Sequence, residues 1–371
     1  MAIPSPNEIS AILGEIQDPE MHRGINELQM VRDVSVDRKR VSVTLALVMP
    51  NSNVRPFYLD VIPAKLQQRF GDIRSVDVKF VVMTEDERMT LSDNLRKDRP
   101  APMAQSGSST TVIAIGSGKG GVGKSTTTVN LAASLAKQGH SVGLLDADVW
   151  GFSIPRMLGV YEKPNVVGDL IMPPEIFGVK VVSIGLFTSE DNPVMWRGPM
   201  LHKALQQFLS DVHWNDPDYL LLDLPPGTGD VAMSIAQFVP GASMIVVTTP
   251  QQAAERVAQR AGFMAEKTGI KPMGMIENMS YFVCDHGQRY ELFGSGGGQS
   301  LADRLRVPLL GQIPMDPELR EFADKGAPIV LQNPDSEVSQ ALDRAAKELV
   351  NLLPPKPKGR KRISLPLMGG G

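Results

Sequence analysis

Gly118-Lys119-Gly120-Gly121-Val122-Gly123-Lys124-Ser125 decides how the rest of this chain is read. It fits the phosphate-loop pattern G-x-x-x-x-G-K-[ST], and its context is the one that pattern requires. The apolar run Val112 to Ile115 just ahead of it predicts a buried strand. Behind it, Ser125 to Lys137 carries Val129, Leu131 and Leu135 at helical spacing and stops at Gly139. Backbone N–H groups around Gly120, Gly121 and Gly123 can turn inward because no Cβ blocks them. The helix N-terminus adds partial positive charge. Gly118 through Ser125, with Thr126 beyond it, is therefore the expected ATP-binding stretch. Within it, Lys124 is expected to reach the β- and γ-phosphates and the Ser125 hydroxyl to ligand Mg²⁺.

Working outward, two more apolar runs end in carboxylates. Ser141 to Asp146 reads as a strand that runs into Asp146-Ala-Asp148. Carboxylates at the C-terminal ends of parallel strands lie where α/β sheets bind ligands. Asp148, in the loop, is expected to orient or deprotonate the attacking water, and Asp146 to support Mg²⁺ and its waters. Tyr219 to Leu224 is the next strand, and Asp223 at its end has the Walker B pattern of a Mg²⁺-holding aspartate. Pro225, Pro226 and Gly227 make a loop able to change shape when a γ-phosphate meets the Gly227 N–H. Further strands are expected at Ser243–Thr249, Lys271–Ile276 and Pro308–Ile313, with helices at Gln251–Thr268 and Asp335–Leu353. The fold class is α/β: a P-loop NTPase with a mainly parallel sheet flanked by helices.

Length and composition set the frame. A chain of 371 residues suggests two domains, and 42% hydrophobic with 21% charged residues is ordinary for a globular protein. The net charge of −3 gives no reason to expect nucleic acid as a partner, and no apolar run is long enough for a membrane span. The N-terminus lacks the pattern of a secretory signal, and a lone cysteine, Cys284, excludes an intrachain disulfide framework. The expected compartment is the cytoplasm. Residues 1–97 read as a small α+β domain in the order helix, two strands, helix, strand; the first helix opens at a Ser5-Pro6-Asn7-Glu8 capping box and runs through Ile16. Residues 98–110 read as a linker, 111–353 as the ATPase domain, and 354–371 as a basic, proline-containing disordered tail.

Several motifs carry a family resemblance. The second lysine of the loop, Lys119, resembles the deviant Walker A motif of the nitrogenase iron protein, MinD and ParA class of ATPases. That resemblance implies a homodimer in which Lys119 crosses the interface to the partner's nucleotide. DADVWGFSIP (146–155) resembles the switch I of this class, with Phe152 where its Mrp branch has proline, and DLPPGTGD (223–230) resembles the switch II of that branch. Asn278 in ENMS (277–280) stands where related ATPases pair an asparagine with the adenine edge. ENMS, Cys284 and FGSGGG (293–298), taken with the domain order, resemble the Mrp/ApbC family. Asp18-Pro19-Glu20 and Val31-Arg32-Asp33-Val34 resemble the MIP18-like (DUF59) domain, which is associated with iron–sulfur assembly.

The resemblance implies a Mg²⁺-dependent ATPase that binds iron–sulfur clusters and transfers them to apoproteins, with assembly factors as further partners. Family members carry C-P-x-C-G where this chain has Cys284-Asp285-His286-Gly287. Two such cysteines from each subunit would hold a bridging [4Fe–4S] cluster. Here the second position is Gly287, or it is deleted beside His286. Cys284 from two subunits, completed by His286 or by external thiols, is one reading; an inert cysteine is the other. Two alternative functions stay open: a MinD- or ParA-like ATP-gated localisation switch, and a nucleotide-gated scaffold that binds no cluster.

Overall fold

The computed structural model describes residues 4–50, 52–97, 108–148, 151, 153–187, 198–226, 230–251 and 269–357. Residues 98–107 of the expected linker 98–110, the loop at 227–229, residues 252–268 of the helix expected from Gln251, and the expected tail from 358 onward lie outside the described residues. By contact the chain divides into two compact units.

The first unit contains α1 (Pro6–Leu13), β1 (Val31–Asp37), β2 (Arg40–Leu47), α2 (Arg55–Arg69), β3 (Ser75–Val82) and α3 (Glu85–Lys97). The capping box at Ser5 is formed in both directions, and α1 stops at Gly14, short of the expected Ile16. β1 and β2 pair antiparallel across a tight connection, whereas β3 pairs parallel to β2 and needs the α2 crossover. Val41, Val43, Leu45 and Leu47 point to one face of β2 and are buried there with Tyr58, Ile62 and Leu66 of α2. The expected order is present, with α3 added; its sequence, EDERMTLSDNLRK, is largely polar, and Leu91, Ser92 and Leu95 mark its buried face.

Asp18 of the DPE motif staples this unit. Its Oδ1 accepts from the N–H groups of Glu20 (2.9 Å) and Met21 (2.7 Å), and its Oδ2 accepts from the Tyr58 hydroxyl at 2.5 Å. The first two bonds are an Asx-type turn. Burial, and then the adjacent Asp18 charge, push the Tyr58 hydroxyl well above its ordinary range. The unit also takes in Glu162–Glu175 and Asp211–Trp214. The division at 97 and 111 leaves these segments in the ATPase domain. Their apolar residues say otherwise, because Val167, Leu170 and Met172 of a short hairpin lie in the first unit's core.

The second unit holds the long sheet. Its principal elements are β4 (Thr111–Gly116), α4 (Lys124–Lys137), β5 (Val142–Asp146), β6 (Val179–Ser183), β7 (Tyr219–Asp223), β8 (Ser243–Thr248), β9 (Pro272–Val283), β10 (Arg289–Tyr290), α5 (Gly297–Leu305), β11 (Leu309–Met315) and α6 (Glu337–Leu352). The strand order is β10-β9-β8-β4-β7-β5-β6, closed by the two-residue strand Glu175–Ile176, with β11 on the far side of β9. All pairings among β4 to β9 and with β11 are parallel, and β10 turns back antiparallel on β9. β4, β5 and β7 are buried along their whole length, as strands covered by helices on both faces must be. Val129, Leu131 and Leu135 of α4 and Val338, Leu342 and Leu349 of α6 share one core with β4 and β7. Among the described residues no helix is long and apolar enough to cross a membrane.

The register sets up the site. Asp223 at the end of β7 stands opposite Ile115 of β4 and Asp146 of β5. Three strand ends thus converge beside the N-terminus of α4.

The Asp18 staple makes a test. Tyr58→Phe removes one bond from a buried carboxylate and should destabilise the first unit by about 1–3 kcal/mol. Amide exchange in α2 should quicken while that in α4 does not; unchanged exchange in α2 would contradict the account.

Candidate nucleotide site

Gly121 and Gly123 have φ of 75° and 76°, a left-handed conformation that side chains with a Cβ rarely adopt. A Cβ built on Gly121 meets nothing within 4 Å, so the loop opens onto free space on that side. Gly123 is the N-cap of α4 and offers no side-chain cap. The first N–H groups of α4 are therefore available to an anion, and the helix dipole favours one there.

Asp223 is the meeting point of the side chains. Its Oδ2 lies 2.6 Å from Lys124 Nζ and 2.6 Å from Ser125 Oγ, and these two lie 3.3 Å from each other. Its Oδ1 accepts from Thr128 Oγ1 at 2.7 Å. Lys124 is 6% exposed and Asp223 is fully buried. A hydroxyl and a carboxylate oxygen this close form the start of a hard-oxygen donor set, which fits Mg²⁺.

Asp146 adjoins this pair and is also buried. Its Oδ2 accepts from Ser183 Oγ at 2.9 Å and its Oδ1 from the Asp148 N–H at 3.1 Å. Burial, and then the charge of Asp223, push its carboxyl up to about 7. Asp148 is itself 8% exposed, and its Oδ1 accepts from the Gly151 N–H at 3.1 Å.

Two expected site residues have partners that the sequence did not suggest. Lys119 Nζ donates to Gln251 Oε1 at 2.5 Å within the same chain. Asn278 is 4% exposed, and its Nδ2 donates to the Val122 carbonyl at 2.9 Å, so its amide braces the back of the loop. A Cβ on Gly123 would collide with that amide. The second N–H of Nδ2 and the Oδ1 acceptor are not used by this bond.

β9 is longer than expected because it continues through ENMS to Val283. Met279 inside it has φ of 56°, at a register break opposite β11. Glu277 is buried and accepts from the Gly298 N–H (2.5 Å) and Gln312 Nε2 (2.7 Å). FGSGGG owes two of its glycines to this packing: a Cβ at Gly297 would strike the Pro250 carbonyl, and one at Gly298 would meet Glu277 Oε2 at 2.6 Å.

Beyond β9, Cys284 and Gln288 flank the three-residue turn Asp285-His286-Gly287. The Cys284 N–H donates to the Gln288 carbonyl at 3.0 Å, and the Gly287 N–H donates back to the Cys284 carbonyl at 2.8 Å. Gly287 has φ of 75°, the left-handed position such a turn needs. Cysteine at 287 would strain this turn. Cys284 is partly buried, and His286 is exposed. Among the described residues no group of three or more His, Cys, Asp or Glu side chains is placed to hold a metal ion.

Five residues with partners here were not among the expected site residues: Thr128, Ser183, Gln251, Glu277 and Gln312. Only Thr128 left a usable signal, since it stands four residues after Lys124 and three after Ser125, on one helix face.

Two predictions test this geometry. Gly123→Ala should abolish nucleotide binding, because the Cβ meets Asn278 and a left-handed φ; near-normal affinity in a fluorescent-nucleotide titration would refute it. Asp146 has its proton affinity raised from 3.8 unfolded to about 7 folded. The native state therefore holds the extra proton between those values, and stability of the nucleotide-free protein should fall as pH rises through that window, by at most about 1.4 kcal/mol per pH unit. Asp146→Asn should flatten the fall in unfolding midpoint between acid and neutral pH. An unchanged profile would contradict the assignment.

Residues 108–350 match the family of the NUBPL iron-transfer P-loop NTPase, and residues 6–78 match the iron–sulfur cluster assembly protein family. An iron–sulfur cluster carrier protein of Mycobacterium leprae (strain TN) is 46% identical over 362 residues, covering 92% of this chain and 91% of its own. One of the same name from Bacillus subtilis (strain 168) is 41% identical over 320 residues, covering 83% and 88%. A nucleotide-binding protein from Archaeoglobus fulgidus, solved with ADP, superposes with a TM-score of 0.52 at 39% identity, covering 58% of this chain and 86% of its own. The septum site-determining protein MinD of Pyrococcus horikoshii, solved with Mg-ADP, superposes at 0.50 and 25% identity, covering 67% and 99%. The chain belongs to the family of the NUBPL iron-transfer P-loop NTPase.

Proposed function

We propose that this protein is an ATP-hydrolysing iron–sulfur cluster carrier that works as a homodimer and hands clusters to apoproteins. The observation that carries the nucleotide half is the convergence of Lys124 Nζ and Ser125 Oγ on one oxygen of Asp223, each at 2.6 Å. The cargo half rests on relatives that bear the carrier name and align over most of both chains.

ATP enters with its phosphates against the loop N–H groups and the N-terminus of α4. Lys124 leaves Asp223 for the β- and γ-phosphates, exchanging one anionic partner for another. Ser125 and Asp223 would hold Mg²⁺, with Asp146 behind them. The ion, when bound, neutralises charge on the phosphate oxygens. Asp148 orients the attacking water. Lys119 leaves Gln251 and stabilises developing charge on the partner subunit's nucleotide. Cys284 from each subunit offers the cargo two thiolates, and His286 beside each can complete a Cys₂His₂ set, which suits a [2Fe–2S] cluster.

One observation favours a second reading. The chain has a single cysteine, and Gly287 occupies a turn position hostile to another. A nucleotide-gated scaffold that recruits assembly factors without holding cluster needs no thiolates.

The experiment is on the nucleotide. Lys124→Ala should weaken ATP binding by about 100-fold. It also strips buried Asp223 of its cation, at about 3–5 kcal/mol of stability. Adding Asp223→Asn should recover the stability and not the binding, and retained ATP affinity in either variant would sink the phosphate assignment. Lys119→Ala should spare binding and slow hydrolysis. A mixture of Lys119→Ala and Asp148→Ala proteins should regain activity in mixed dimers; no recovery although mixed dimers form would refute action across the interface.

A further inference from the structure

The two oxygens of Asp223 are held differently. Oδ2 is shared by Lys124 and Ser125, the two groups that change partner on the reading above. Oδ1 is held by Thr128, which is fully buried on α4; its hydroxyl lies 2.7 Å from Oδ1 and 2.9 Å from the Lys124 carbonyl. One hydroxyl carries one proton, and the nearer, charged acceptor takes it. Its β-branched side chain is stiff at χ1, so the oxygen is fixed by the helix itself. The two threonines before it do not do this. Thr127 donates to the Gly123 carbonyl at 2.9 Å, and Thr126 Oγ1 faces the Met157 sulfur at 3.9 Å.

We infer that Thr128 is a positioning residue for the metal site: it holds Oδ1 of Asp223 so that Oδ2 still faces Ser125 after Lys124 has left. This rests on the reading that Ser125 and Asp223 hold Mg²⁺. Asp223 without Thr128 would keep its present orientation only while Lys124 remained on it, and would lose it at the moment the metal site is assembled. A purely structural role, with the hydroxyl bonded back to the Lys124 carbonyl, would cost stability and leave metal dependence alone.

The test uses the full chain and a fluorescent ATP analogue, titrated in EDTA and then with rising Mg²⁺. Thr128→Val keeps the shape and removes the hydroxyl. Its affinity in EDTA should stay within about threefold of wild type, while the Mg²⁺ concentration for half-maximal tightening rises about tenfold. Thr128→Ser should return that midpoint to the wild-type value. A Thr128→Val protein with the wild-type Mg²⁺ midpoint overturns the inference. Wild-type binding that does not respond to Mg²⁺ instead overturns the reading of Ser125 and Asp223. If Thr128→Val binds no nucleotide even in EDTA, Thr128→Ala, which adds no branch to the core, takes its place under the same two criteria.

Discussion

Asp223 and Lys124 form an ion pair almost without access to water, 2.6 Å apart. A buried charge of this kind persists only when its partner and its hydrogen bonds are all in place. That requirement governs the local fold. β7 must lie between β4 and β5 to bring Asp223 to the loop, and α4 must start at Lys124 to aim its lysine, serine and threonine at one carboxylate. Asp146 on the next strand holds its proton more firmly because it is buried and, second, because Asp223 lies beside it. On the function proposed above, this pair is what a nucleotide displaces: phosphate offers Lys124 another anion, and Mg²⁺ would take the lysine's place beside Asp223.

β9 joins the nucleotide loop to the cysteine. Asn278 braces Val122 from this strand, and six residues later the same strand enters the Cys284 turn. Between them Met279 holds a backbone conformation that costs on the order of 1 kcal/mol outside glycine. Glu277 pins the strand to the start of α5 and to β11. The strand that contacts the loop at Val122 thus leads directly into the Cys284 turn.

Much of this was legible in the chain. The phosphate loop, the strand before it and the helix after it appear where pattern and glycine placement put them. Apolar runs located β5, β7 and β8 to within a residue or two, since strands buried on both faces leave an unbroken hydrophobic signal. The polar ENMS motif hid the second half of β9, because a strand rich in Glu, Asn and Ser looks like a turn until its partners are known. Residues 162–175 read as ATPase sequence since nothing local reveals that Val167 and Leu170 pack in the other unit. Asn278 and Lys119 were placed by resemblance, and resemblance does not report which neighbour an unliganded side chain takes. Thr128 was overlooked inside a run of three threonines whose hydroxyls differ only in direction.

The central claim is that this chain, with one cysteine, carries a cluster. Anaerobic reconstitution of wild type and Cys284→Ala, with iron and sulfide counted per dimer and transfer to an apo-acceptor followed with and without ATP, tests it most directly. The account predicts a cluster that depends on Cys284 and moves to the acceptor, with the cluster type reporting on His286. Iron and sulfide in wild type no higher than in Cys284→Ala would contradict it and leave the nucleotide-gated scaffold in its place.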